Sequence, residues 1–333
     1  MKNRSFIIII LLLAIGVITI FIPKNREYSV YIPDALGTVS EIKIYAKNDS
    51  VLPECEDYIR KSDRLFSLTN PESEISRLNK ERNISINPET KELLETSLKY
   101  TDFSTFNPFC GTLINLWDKA KENGNPPSEE EVKNANSFSY PVSLKITGNH
   151  AEFTNPGQSV NLGAIAKGYI TDGIINILEE NHIESALIYL GGNIYAKGLT
   201  PENKKWKIGI ANPDNSGEFI GILSATDQAI ITSGDYERYF ESEGIRYHHI
   251  LDPETGYPAD SGLRSVTIIS PNATIGDILS TRCFIAGFEA SKEILKDFGA
   301  YAIFITTDGK VMYSKELEDV FEKIDNNYAY QVF

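Results

Sequence analysis

Basic charge is in short supply in this sequence: 32 Lys and Arg stand against 46 Asp and Glu, a net charge of −14 over 333 residues. A nucleic-acid surface needs a basic face to hold phosphates, so the balance argues against that class, and an anionic ligand must be met by local charge. Cysteine is nearly absent. Cys55, Cys110 and Cys283 lie far apart with no Cys-x-x-Cys pair, which indicates neither a zinc knuckle nor a disulfide framework and leaves three small buried hydrophobes. Histidine is also rare. With only His150, His182, His248 and His249 available, a metal site is expected to be oxygen-rich and to hold magnesium rather than zinc. No repeat or low-complexity tract occurs. The remaining composition, 41% hydrophobic and 11% aromatic, is enough for one large domain or two small ones with a full core.

One long apolar run is present. Phe6 to Ile22, about 17 residues, is just long enough to span a bilayer and follows Lys2 and Arg4. A cleaved signal peptide would also be apolar, but Ile20-Phe21-Ile22-Pro23-Lys24 offers no small-x-small cleavage site and no cysteine follows to take a lipid. An uncleaved anchor over residues 1–26 and a body over 27–333 are therefore expected. The leading positive charges favour a single-pass protein in the cell membrane with an extracytoplasmic body, although Lys24 and Arg26 on the far side weaken that bias.

Periodicity in the body mixes strands and helices. Val39 to Tyr45 alternates as a strand entered through Leu36-Gly37-Thr38, while Leu52 to Phe66, Glu74 to Asn79 and Pro88 to Tyr100 have helical apolar spacing, with Ser73 and Asn87 as caps. Phe103 to Trp117 has the aromatic composition of a loop lying against a flat ring, though core packing would use the same residues. Glu129 to Ala135 reads as a short acidic helix. Strands then dominate: a hairpin across Gly148-Asn149, Ala186 to Leu190, Trp206 to Ile210, Ile230 to Ser233, and Tyr247 to Ile250. Asn272 caps a helix running to Gly287, and Asp308-Gly309 turns a last hairpin.

The clues converge on Ser159 to Asp172. Val160 and Leu162 read as strand, Gly163 as a turn no side chain could make, and Ile165, Tyr169, Ile170, Ile174 and Ile177 as a helix. Unpaired N–H groups at that helix start, with Lys167, would suit a phosphate or diphosphate, but such turns also serve simple packing. Asp277 and Thr281 share one face near the start of a later helix and offer hard oxygen to Mg²⁺, with the Ala164 carbonyl as a third donor. Asp277 could instead only complement the helix dipole. Of His248 and His249, strand alternation lets one point inward.

Taken in order, Leu36-Gly37-Thr38, Ser73-Glu74-Ile75-Ser76-Arg77-Leu78-Asn79, Asn161-Leu162-Gly163-Ala164-Ile165-Ala166-Lys167-Gly168-Tyr169, Gly191-Gly192-Asn193, Thr232-Ser233-Gly234-Asp235-Tyr236-Glu237-Arg238, His249-Ile250-Leu251-Asp252-Pro253-Glu254-Thr255-Gly256-Tyr257-Pro258 and Gly276-Asp277-Ile278-Leu279-Ser280-Thr281 resemble the ApbE family, the FAD:protein FMN transferases. The resemblance covers nearly everything after the apolar run. It implies a single α+β catalytic domain, with mixed and antiparallel sheets flanked by helices. It also implies Mg²⁺-dependent cleavage of the FAD diphosphate, with FMN passed as a phosphoester to a threonine or serine of an extracytoplasmic acceptor protein and AMP released. Carried over residue by residue, the metal falls to Ala164, Asp277 and Thr281. Contacts to FAD, the substrate, fall to Leu36, Thr69, Thr105, Phe106, Asn107, Asn161, Lys167 and Ile250, and His249 is the candidate base beside Asp277. Water in place of the acceptor would make an FAD pyrophosphatase; loss of catalysis would leave a flavin-binding surface protein.

Four positions depart from the family pattern, which usually has methionine at Leu36, tyrosine at Thr69 and aspartate at both Asn107 and Asn161. Asparagine can still hydrogen-bond but loses charge, and Thr69 removes an aromatic that would stack on a ring. Asp252-Pro253-Glu254-Thr255-Gly256 partly resembles the Asp-x-x-Thr-Gly core of flavinylation sites, but Tyr257 and Pro258 follow where those sites have small residues. Thr255 is therefore not expected to be an acceptor.

Overall fold

The computed structural model describes residues 25–333. The expected anchor lies outside the described residues, and among those described no helix is long and apolar enough to cross a membrane. The body starts with a hairpin, β1 (Arg26–Ala35) and β2 (Thr38–Ala46), then α1 (Leu52–Phe66), α2 (Glu74–Glu81), β3 (Asn83–Ser85), α3 (Pro88–Tyr100), α4 (Gly111–Asn123) and α5 (Glu129–Asn136). Next come the hairpin β4 (Leu144–Thr147) and β5 (His150–Phe153), α6 (Ala166–Glu180), and strands β6 (Ala186–Leu190), β7 (Asn193–Lys197), β8 (Trp206–Ala211), β9 (Phe219–Ala225) and β10 (Gln228–Gly234). The chain ends with β11 (Tyr239–Ser242), β12 (Ile245–His248), β13 (Leu263–Ser270), α7 (Ala273–Phe298), β14 (Tyr301–Thr306), β15 (Lys310–Tyr313), β16 (Phe321–Lys323) and β17 (Ala329–Val332).

The mixed α+β class is as expected. Nine strands form one sheet in the order β1-β2-β6-β7-β10-β13-β14-β15-β17, antiparallel except for β15 and β17. Alternation divides its side chains between two cores. Ala229 and Ile231 of β10 face the helices, packing with Ile170 and Ile174 of α6 and Ile278 of α7. Ile230, between them, faces the other way and meets Trp206, Ile208 and Leu223 of the small sheet β16-β9-β8. The large sheet is therefore the middle of three layers.

Local reasons for the helices are plain. In α1 the buried residues Leu52, Cys55, Ile59, Ser62, Leu65 and Phe66 repeat at three to four, with proline at the first turn. Ser73 accepts the Ser76 N–H at 3.0 Å as the cap of α2. Asn87 precedes α3 as expected but makes no cap bond; its side chain is held by Glu74 instead. The expected stop at Gly287 is real as a break: φ is +77° there, and a further helical segment continues to Phe298. All three cysteines are buried and free, with their thiol pKa values pushed up by burial.

Three expectations fail. Residues 159–162 form no strand beyond a single parallel bridge of Ser159 with Cys110: the Asn79 side chain accepts the Val160 N–H and donates to its carbonyl at 2.8 Å each, while the Ser159 carbonyl and the Asn161 N–H go to Gly111 and Pro108. Gly163 is not in the left-handed region, and a Cβ there would meet only Asn161 Oδ1 at 3.0 Å. The loop reading of Phe103 to Trp117 gives way to its core-packing alternative, since Phe106, Phe109 and Trp117 are buried and α4 starts at Gly111.

Candidate active site

The site is built where α6 and α7 begin side by side. Asp172 of α6 caps α7: its carboxylate accepts the N–H groups of Ala273 and Thr274 at 2.9 Å each and the Thr274 hydroxyl at 2.6 Å. Gly168 is the point of contact. A Cβ there would lie 2.3 Å from the Ala273 carbonyl oxygen and 2.8 Å from Asp277 Cβ, so only glycine allows the two helices this approach. At that separation the Gly168 N–H donates to Asp277 Oδ2 at 2.8 Å.

This bond has a chemical consequence. In a regular helix the Gly168 N–H would go to the carbonyl four residues back, that of Ala164. Its diversion to Asp277 leaves the Ala164 carbonyl without a backbone partner among the described residues. The Ala166 N–H is also taken, by the Leu162 carbonyl at 2.8 Å. The helix start therefore presents an acceptor oxygen more than the N–H donors expected of a phosphate cradle, and Lys167 supplies the positive charge. Asp277 is 3% exposed, and Thr281 lies one turn further on the same face of α7. Among the described residues no three His, Cys, Asp or Glu side chains gather as a metal cluster. A free carbonyl, a carboxylate and a hydroxyl are nonetheless a hard-oxygen set of the kind Mg²⁺ takes, so the residues fit that ion.

Three strand turns close around these helix starts. Gly191 in the β6–β7 turn lies against the β1–β2 turn, where a Cβ would be 2.4 Å from Thr38 Oγ1. Gly192 lies against Glu237 in the β10–β11 turn, 3.5 Å from Oε1 to a Cβ position. Arg264 fixes that last turn by donating from Nε to both oxygens of Asp235, at 2.8 and 3.1 Å.

The two histidines separate by role. His248 is buried; its Nδ1 accepts the Ile250 N–H at 3.3 Å, so Nε2 carries the proton and donates to the Ala259 carbonyl at 3.1 Å. His249 is exposed to solvent, with its backbone N–H on the Arg238 carbonyl at 3.0 Å. Surrounding protein lowers its pKa, and Arg238, His248 and Lys167 add positive charge in the same direction, so the ring is neutral at pH 7. Glu237 is likewise open to water yet ringed by protein, which raises its pKa; Lys167 and Arg238 oppose the rise and Asp277 adds to it. Both side chains reach solvent, and each is close enough to Lys167 and Arg238 to feel their charge.

The other sequence candidates fall into two groups. Thr105, Phe106 and Asn107 belong to a loop that is tied to α7 by an ion pair of Asp102 with Arg282 at 2.7 Å, next to Thr281. The Asn161 N–H bonds the Pro108 carbonyl at 2.7 Å, bringing the turn before α6 to the same loop. Thr105 and Asn161 are partly exposed, whereas the Phe106 ring is 1% exposed and the Ile250 side chain 5%, so either could offer only backbone to a ligand. Asn107 is buried, with Nδ2 on the Ser139 carbonyl and Oδ1 on the Phe109 N–H. Leu36, at φ +60°, holds its N–H on Asp63 Oδ1 at 3.0 Å. Thr69 is exposed and bonded to Ser67. Sequence reasoning gave no role to Glu237, Arg238 or Asp172. For the first two, the polar run ending β10 was the available signal; Asp172 gave none, since its partner is 101 residues further along. Two concavities, one between α5 and Glu254 to Tyr257 and one between α3, α6 and the start of α7, include none of Lys167, His249 or Asp277.

A model of the ApbE family matches residues 36–305. The chain is 31% identical to the FAD:protein FMN transferase of Treponema pallidum over 92% of each chain, and 32% identical to one from Klebsiella pneumoniae over 91% of this chain and 97% of the relative. Among solved structures it is similar to the ApbE protein of Thermotoga maritima, with a TM-score of 0.80 and 30% identity over 89% of this chain and 99% of the other. It is also similar to the apo form of Pseudomonas stutzeri flavinyl transferase ApbE, with a TM-score of 0.77 and 25% identity over 90% and 98%.

Proposed function

The chain belongs to the ApbE family, and from that membership we propose that it is an FAD:protein FMN transferase acting on a threonine or serine of an acceptor protein. The acceptor hydroxyl oxygen forms a bond to the flavin-side phosphorus of FAD, the bridging P–O bond breaks, AMP departs with the bridging oxygen, and the hydroxyl proton passes to His249. The observation that supports this most is the Gly168 N–H diverted to Asp277, which leaves the Ala164 carbonyl one turn back without a backbone partner. Mg²⁺ held by Ala164, Asp277 and Thr281 would neutralise diphosphate charge. Lys167 adds a fixed positive charge at the same place, and the surrounding protein, with Arg238 in support, keeps His249 neutral and able to accept a proton.

Because neutral His249 is the active form and its pKa lies below the ordinary 6.5, kcat/KM is expected to stay level through pH 6.5 and to fall only in more acid solution. A limb at or above pH 6.5, or a limb unchanged in His249→Ala, would count against His249 as the base.

The acceptor is a separate protein on this reading. Thr255 sits in a turn fixed by the Trp117 Nε1–H on the Gly256 carbonyl at 2.9 Å and by Asn136 Nδ2 on the Pro253 carbonyl at 3.0 Å. Incubation with FAD, Mg²⁺ and an acceptor carrying a flavinylation-type motif is expected to add FMN to the acceptor and leave this chain at its own mass. FMN on this chain, lost in Thr255→Ala, would make the enzyme its own substrate. We further propose that residues 1–26 anchor the body outside the cytoplasm, in the cell membrane. Release of the full chain by alkaline carbonate would refute the anchor.

A further inference from the structure

Two aromatic rings near the site are held firmly but not buried. Phe103 has φ +63°, a left-handed backbone that a bulky residue seldom adopts. The conformation is imposed from one side by Asp102, whose carboxylate accepts the N–H groups of Ser104, Thr105 and Phe106 at 3.1, 2.7 and 2.9 Å and the Thr105 hydroxyl at 2.6 Å. The same carboxylate is ion-paired with Arg282, the residue after Thr281. So held, the Phe103 ring stands edge-on to Tyr140, with centroids 4.7 Å apart and planes at 76°.

Tyr140 is 64% exposed, although the backbone around it is fixed on both sides. Asn107 Nδ2 donates to the Ser139 carbonyl at 3.2 Å, and Gln158, fully buried, donates from Nε2 to the carbonyls of Phe138 and Pro141 at 2.7 and 3.1 Å. A braced turn that leaves its tyrosine ring in water has already met the ordering cost of binding a flat ligand. The chemistry of Asn107 matters here. A carboxylate has no proton to donate to the Ser139 carbonyl, so the amide is what allows this residue to hold the tyrosine turn. The loop that carries Phe103 and Asn107 is bonded to the turn before α6 through the Asn161 N–H and Pro108 carbonyl, which ties the ring-bearing loop to the segment leading into Ala164 and Lys167.

We propose that Phe103 and Tyr140 form the stacking platform for a planar ring of FAD, replacing the aromatic absent at Thr69 and organised by the amide at Asn107. The inference rests on the functional reading above and names the residues that set dinucleotide affinity. Stacking on one aromatic side chain makes a difference on the order of tenfold in affinity.

The test is a titration of the full chain with FAD in the presence of Mg²⁺, read by flavin fluorescence, with free FMN and ADP in parallel. Tyr140→Ala and Phe103→Gly, the latter keeping the left-handed backbone accessible, are expected to raise the FAD Kd about tenfold, whereas Tyr140→Phe stays within about twofold of the original. In turnover the effect falls on KM more than on kcat. A parallel loss for FMN marks the flavin as the stacked ring, and a parallel loss for ADP marks the adenine; either supports the platform. An FAD Kd within about twofold of the original in both Tyr140→Ala and Phe103→Gly, with the unaltered chain binding FAD normally, overturns the platform and leaves the transferase reading standing. If the unaltered chain does not bind FAD, the transferase reading falls and the platform with it.

Discussion

Asp277→Asn is expected to lower turnover about a thousandfold while the protein stays folded. The amide has the shape of the carboxylate and keeps an oxygen to accept the Gly168 N–H, so the 2.8 Å bond that joins α6 to α7 can survive. The negative charge opposite the Ala164 carbonyl and Thr281 is lost. Charge stabilisation by a bound cation amounts to several kcal/mol, and about 4 kcal/mol corresponds to that thousandfold. Asp277→Ala also strands the Gly168 N–H in a buried place and should add about 1–3 kcal/mol of instability, which makes the asparagine the cleaner variant. Turnover at saturating Mg²⁺ and a melting curve decide the matter together. An asparagine variant with more than about a tenth of the original turnover would count against Asp277 as a Mg²⁺ ligand.

Gly168→Ala is expected to damage stability and turnover together. The added Cβ would stand 2.3 Å from the Ala273 carbonyl oxygen, a backbone atom in a helix start that Asp172 and Asn272 both hold in place. Neither helix can yield without losing those bonds. The alanine gains about 1 kcal/mol of helix propensity, far less than the clash costs. A net loss of about 3 kcal/mol, or roughly 5 °C in melting temperature for a body of this size, should come with a loss of turnover, since the displacement moves Asp277 away from Lys167 and the Ala164 carbonyl. Gly163→Ala is the control, because its nearest neighbour is the movable side chain of Asn161 at 3.0 Å. Equal melting temperatures and equal turnover for the two variants would show that the α6–α7 contact does not set the site.

These two glycines also mark how far the sequence could be read. Alternation and helical spacing located β2, α1, α3, the β4–β5 hairpin, β10 and the start of α7, because each buries one face and writes that face into the residue pattern. Val160 and Leu162 have strand composition but only a single bridge beside them, that of Ser159 with Cys110; Val160 itself is met by the amide of Asn79, and a side chain standing in for a strand leaves no periodicity. The start of α4 was hidden because Cys110 caps it without a side-chain bond and a glycine opens it. β1 was missed at the edge of the sheet, where an exposed strand with Pro33 in its run gives little apolar pattern. Within the site, Lys167, His249, Asp277 and Thr281 stood out as residue types in ordered blocks. Their meeting did not: it depends on Gly168 fitting against Ala273, on Asp172 capping a helix 101 residues away, and on the carbonyl freed as a result. Asn107 shows the opposite limit, because a departure from the family pattern that looks like a lost contact turns out to brace the turn carrying Tyr140.

The most direct measurement of the central claim is the ratio of AMP released to FMN attached, taken in one reaction of the full chain with FAD, Mg²⁺ and an acceptor protein bearing a threonine or serine flavinylation motif. Transfer through the Ala164, Asp277 and Thr281 site predicts one AMP for each FMN-bearing acceptor, with both products absent when a chelator removes the metal. Release of AMP with free FMN and an unmodified acceptor would contradict the account and make water the nucleophile.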